Sequence, residues 1–66
     1  MKDLHGKRVL VTGGGQGIGL EMAIKFAESR AEIVLTDLDE EALPEAKKIV
    51  DALGVAVHAF ALDVTD

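Results

Sequence analysis

A short β-branched run, Arg8-Val9-Leu10-Val11-Thr12, stops on Gly13, and further glycines follow at 14, 15, 17 and 19. Directly after them Ile18, Met22, Ala23, Phe26 and Ala27 recur at helical spacing, so a helix is expected from Ile18 to about Ser29. This strand, glycine turn and helix limit the fold more than any other feature. The chain must leave an extended segment, turn tightly and enter a helix within a few residues. Gly13 permits the turn, Gly17 keeps the backbone at the helix start open to close approach, and Gly19 lets the helix lie against the strand.

The same alternation continues to the end of the chain. Glu32-Ile33-Val34-Leu35-Thr36 reads as a second strand and Val55 to Leu62 as a third. Between them, Asp39 is the expected N-cap of a second helix whose apolar face is Ala42, Ala46, Ile49, Val50 and Leu53, with Gly54 ending it. Pro44 is comfortable only in a first turn, which favours a helix that begins properly near it after an irregular lead-in over residues 40–43. Strands alternating with helices predict a parallel sheet with right-handed crossovers. The expected fold is therefore an α/β, Rossmann-type β-α-β-α-β half: a three-stranded parallel sheet in the order 3-2-1, with both helices on one face. Val9-Leu10-Val11 and Ile33-Val34-Leu35 are apolar on both sides of the pleat, as in a sheet covered on both faces. Helices are supplied for one face only, so residues 1–66 read as the N-terminal part of an incomplete doubly wound domain.

Composition narrows the function. The 66 residues contain no cysteine, which excludes disulfides and thiolate metal sites, and His5 and His58 stand alone. The net charge of −5 argues against a nucleic-acid partner. No apolar run approaches the length of about 18 residues that a membrane span needs. The first residues lack the apolar stretch of a signal peptide, so the cytoplasm is the expected compartment.

A helix N-terminus carries unpaired N–H groups and a partial positive charge, and it favours a diphosphate wherever no β-carbon stands in the way. The segment Val11-Thr12-Gly13-Gly14-Gly15-Gln16-Gly17-Ile18-Gly19 places such a terminus directly after a strand, with an acid, Asp37, about 20 residues further on, the arrangement of a dinucleotide site. The spacing is not G-x-G-x-x-G but the wider T-G-x-x-x-G-I-G. That form resembles the cofactor signature of the short-chain dehydrogenase/reductase family. The resemblance extends through the lead-in Gly6 to Thr12 and the closing Asp63-Val64-Thr65-Asp66, and it covers the whole chain, as roughly the opening quarter of a member.

The resemblance implies that Gly13, Gly15, Gln16, Gly17, Ile18 and Gly19 hold the cofactor diphosphate region, that Asp63 accepts from the adenine amino group, and that Val64 lines the adenine pocket. Asp37 follows the second strand, where a carboxylate accepts hydrogen bonds from the adenosine ribose and repels a 2′-phosphate. Family members that use NADP often carry a basic residue at the positions here held by Leu38 or Gln16. Neither is basic, so NAD is the expected cofactor. Family catalysis rests on a tyrosine, a lysine four residues later, an upstream serine and an asparagine. This chain has no tyrosine or asparagine, and Ser29 lies at the far end of the first helix. The expectation is the NAD-binding portion of an oxidoreductase that moves hydride between NAD(H) and an alcohol or ketone, homo-oligomeric as a full-length parent.

Two other classes compete: a non-catalytic nucleotide-binding module, and a structural fragment that self-associates through its uncovered sheet face. A methyltransferase using S-adenosylmethionine shares the layout, but the open helix N-terminus suits a diphosphate better. Met22 and Phe26 are read as helix-core residues, His58 as a partly exposed strand residue rather than a ligand or base, and His5 as surface. Glu21, Lys25, Glu28 and Lys47 are read as solvated charges. Arg30 stands where the family usually places the glycine that stops the first helix.

Overall fold

The computed structural model describes residues 3–61, in the order β1 (Arg8–Thr12), α1 (Gly17–Glu28), β2 (Glu32–Asp37), α2 (Leu43–Asp51) and β3 (Val57–Ala61). The three strands are parallel, with β2 between β1 and β3. Val9 and Val11 lie opposite Ile33 and Leu35, which lie opposite Val57 and Ala59. α1 packs on β1 and β2, α2 packs on β2 and β3, and the helices touch each other, so both cover one face. This is the expected architecture.

The covered face makes the core. Ile33, Leu35 and Val50 are fully buried, with Val11, Ala23, Ala27, Leu43, Ala46 and Val57 around them. Small Ala23 and Ala27 bring α1 down onto the sheet. The opposite face is bare: Leu10 is 60% exposed and Phe60 50%. Successive strand residues point to opposite faces, so Leu10 lies on the side away from Val9 and Val11.

Several boundaries and faces differ from expectation. Asp39 is not the N-cap of α2. Its carboxylate accepts from the Glu41 amide at 3.0 Å and its carbonyl from the Ala42 amide at 3.2 Å, which closes a turn ahead of the helix. Ala42 takes the cap position and Pro44 sits in the first turn, where its missing N–H costs nothing. α2 ends at Asp51, and Gly54 follows one short turn later, donating to the Asp51 carbonyl. Ile49 and Leu53 face outward, and the buried stripe is Leu43, Ala46 and Val50. Met22, expected in the core, is 48% exposed, because the contact of α1 with the sheet narrows to its alanine side. β3 is regular from Val57, although the Ala56 carbonyl already accepts from Ile33. Leu62 lies outside the described residues.

Arg30 adopts the left-handed conformation, with φ at 76°, and its amide closes α1 on the Ala27 carbonyl. The guanidinium then reaches back to Asp3 at 3.4 Å and donates to His5 Nδ1 at 3.1 Å. Such exposed ties are worth at most about 1 kcal/mol each, and left-handed backbone costs a non-glycine residue about 1–2 kcal/mol. Arg30→Ala keeps the strain and loses both ties, whereas Arg30→Gly loses the ties but relieves the strain. In urea unfolding the glycine variant should therefore be the more stable of the two by about 1 kcal/mol. Equal midpoints would contradict the strain assignment.

Candidate functional site

Parallel pairing sets the ends of β1 and β2 side by side, Thr12 opposite Thr36. The glycine turn leaves β1 at this end and is tied to its neighbour, the Gly14 amide donating to the Thr36 carbonyl at 2.9 Å. Gly13 and Gly17 have φ of 65° and 60°, a region that β-carbons disfavour. A β-carbon at either would project into open space, so the turn presents bare backbone outward there. Gly19 serves the opposite purpose. A β-carbon there would strike the Gly13 carbonyl, lying 2.6 Å from its carbon, so α1 starts closer to the turn than any side chain permits.

The start of α1 is left open. Gln16 is extended at the cap position and makes no side-chain capping bond, and no acidic residue lies in the first turn. The amides of that turn have no partner within the helix, and no carboxylate of the turn offsets the partial positive charge. This is the chemistry of an anion cradle.

Asp37 ends β2 beside this turn. Its Oδ2 accepts from the Gly15 amide at 3.0 Å and its Oδ1 from the Asp39 amide at 3.1 Å. The Asp39 amide, then that of Gly15, and to a lesser extent that of Leu38, hold the carboxyl below the ordinary aspartate range against partial desolvation. It is therefore ionised at neutral pH. Leu38 and Ile18 flank the site as exposed apolar side chains. The structure thus brings Gly13, Gly15, Gln16, Gly17, Ile18, Gly19, Asp37 and Leu38 to one end of the sheet, beyond the carboxyl ends of its strands, where open α/β sheets bind ligands. Asp63 and Val64 lie outside the described residues. The Gly15–Asp37 bond had no local signature, because its partners are 22 residues apart.

A second polar cluster lies on the bare sheet face. His58 Nε2 donates to Glu32 Oε2 at 2.8 Å, and Arg8 Nε approaches the same oxygen at 3.3 Å. His58 is a largely exposed strand residue, as expected, and its partner stands on the neighbouring strand, where only the sheet register reveals it. The His58 hydrogen bond lowers the Glu32 pKa, with desolvation opposing it and Arg8 adding to it. Among the described residues no group of three or more His, Cys, Asp or Glu side chains could hold a metal. A broad open concavity beside this cluster, lined in part by Arg8, His58 and Phe60, lies away from the glycine turn.

A glycine turn with an open helix start, beside an acid at the end of the next parallel strand, defines a Rossmann-type α/β unit. The sequence matches the short chain dehydrogenase family over residues 7–66. It is 43% identical over 63 residues to an uncharacterized oxidoreductase of Thermotoga maritima, covering 96% of this chain and 25% of that protein. It is 37% identical over 65 residues to human estradiol 17-beta-dehydrogenase 11, covering 98% of this chain and 22% of that one. Among solved structures, NAD+-bound xylitol dehydrogenase superimposes with a TM-score of 0.94 at 42% identity, over 98% of this chain and 25% of that one. A metagenomic short-chain oxidoreductase in complex with NADP gives 0.91 at 32% identity, over 98% and 29%. The chain belongs to the short-chain dehydrogenase family. It spans about a quarter of the length of the relatives it matches.

Proposed function

We propose that residues 1–66 are the N-terminal part of a dinucleotide-binding domain, and that this part binds NAD in preference to NADP. The amides at the start of α1 take the diphosphate, with Gly13, Gly17 and Gly19 keeping β-carbons out of the way. Asp37 accepts the adenosine ribose hydroxyls, with Leu38 beside it, and Asp63 and Val64 receive the adenine. When bound, the cofactor supplies the hydride donor or acceptor of an oxidoreductase acting on an alcohol or ketone. In that enzyme this chain's residues bind and orient, and the reacting groups belong to the full-length protein.

The observation that carries the reading is the Asp37 carboxylate fastened to the glycine turn by the Gly15 amide at 3.0 Å. A 2′-phosphate brought there would meet a like charge, and the residues at the two positions where NADP-using relatives often carry a basic group, Gln16 and Leu38, are uncharged. The solved relatives include an NAD+ complex and an NADP complex, so likeness alone does not choose between the two. The carboxylate favours NAD.

Calorimetric titration of the chain with each dinucleotide tests this. NAD should bind more tightly. Asp37→Ala should weaken NAD by about 1.5–3 kcal/mol, the range for hydrogen bonds to a charged group, and NADP by much less. Tighter NADP binding, or equal loss for both, would overturn the assignment.

A further inference from the structure

Gly15 lies in the middle of the turn, yet it is not among the glycines with positive φ. No unusual backbone requires glycine there. What requires it is space. A β-carbon on Gly15 would stand 2.9 Å from Asp37 Oδ2 and 3.0 Å from the Ala42 β-carbon. In its absence the Gly15 amide comes within 3.0 Å of Oδ2, while the Asp39 amide holds Oδ1 at 3.1 Å. Each carboxylate oxygen thus has a backbone donor, and the orientation of the group is fixed before any ligand arrives. Each oxygen keeps lone-pair capacity for a further donor.

We propose that Gly15 is a cofactor-specificity position that acts through Asp37: lacking a β-carbon, it lets the turn grip the carboxylate and preset it for the ribose diol. The inference rests on the ribose assignment made above. Of the two groups that a new β-carbon would meet, the Asp37 carboxylate yields more easily, since it ends a rotatable side chain, whereas Ala42 Cβ is fixed to the backbone at the cap of α2. A rotated carboxylate costs the fold little. It does abandon the geometry set by the two amides, and the ribose hydroxyls then meet a misplaced acceptor. A methyl group at residue 15 is therefore felt in ligand preference, while the Ala42 contact, which rotation of the carboxylate leaves at 3.0 Å, adds a modest cost in stability.

Two measurements on the 66-residue chain test this. In the ligand-free, 15N-labelled protein the Gly15 amide shift should follow the ionisation of Asp37 as pH is lowered. That titration should vanish in Asp37→Asn. It should persist in Asp39→Asn, which removes the neighbouring carboxyl, itself engaged by the Glu41 amide. In dinucleotide titrations Gly15→Ala should weaken NAD roughly tenfold and NADP by about twofold or less, and in an Asp37→Ala background it should cost no further NAD affinity. A Gly15 amide that ignores pH overturns the proposed grip, whatever the affinities are. Equal loss of NAD affinity in both backgrounds overturns the route through Asp37. If the wild type binds neither dinucleotide, the ribose assignment fails and the specificity role fails with it, and the amide titration shows separately whether the contact itself exists.

Discussion

Gly19→Ala is expected to displace α1 from the glycine turn and abolish dinucleotide binding. The added methyl group would collide with the Gly13 carbonyl, which is backbone and cannot rotate away. Relief requires lifting the helix start or reshaping the turn, and either change moves the amides that form the cradle. Overpacking typically costs about 1–3 kcal/mol and sometimes more. With backbone as the obstacle, the cost should lie at the upper end of that range. Gly17→Ala is the informative contrast. Its methyl group would point into open space and strain only the local φ, at about 1–2 kcal/mol. It should spare the helix packing while still impairing ligand approach. Urea midpoints and NAD titrations on both variants separate the two roles. A Gly19→Ala protein with a wild-type midpoint and wild-type affinity would contradict the close-approach account.

Leu35→Ala should be the most destabilising truncation in the sheet. Leu35 is fully buried on the central strand, and its Cδ2 lies 2.8 Å from the β-carbon that Gly14 lacks, so it supports the turn as well as the core. Such truncations cost about 2–5 kcal/mol. For a domain of this size each kcal/mol lowers Tm by roughly 4–8 °C, so a drop of about 10 °C or more is expected. Leu10→Ala, one strand away on the bare face, removes a side chain that is already largely solvated and should cost under about 1 kcal/mol. Comparable losses for the two would mean that the bare face is not bare in solution.

The parts of the fold legible from the sequence were those set by local chemistry. β-Branched runs bounded by glycine marked β1 and β2. The alternation with helices gave the parallel order, and Pro44 placed the true start of α2 despite the attraction of Asp39 as a cap. The missed parts depend on which residues the topology brings together. His58 acquires Glu32 only through the β2–β3 register, and Gly15 acquires Asp37 only because the ends of β1 and β2 meet. Met22 and Phe26 look alike in helical spacing, but a helix resting on its alanine side leaves Met22 outside. The strand, glycine turn and acid were legible as neighbours in sequence, and the parallel pairing of β1 and β2 sets them at one end of the sheet. What the pattern could not disclose is that its acid and its turn are joined to each other.

The most direct test of the central claim is amide shift mapping of the 15N-labelled chain on addition of NAD. The perturbed amides should cluster at Gly13 to Gly19 and around Asp37 and Leu38, leaving those of Arg8, Glu32 and His58 on the bare face unmoved. Shifts centred on the bare face, or none at saturating NAD, would contradict the assignment of the glycine turn as the cofactor site.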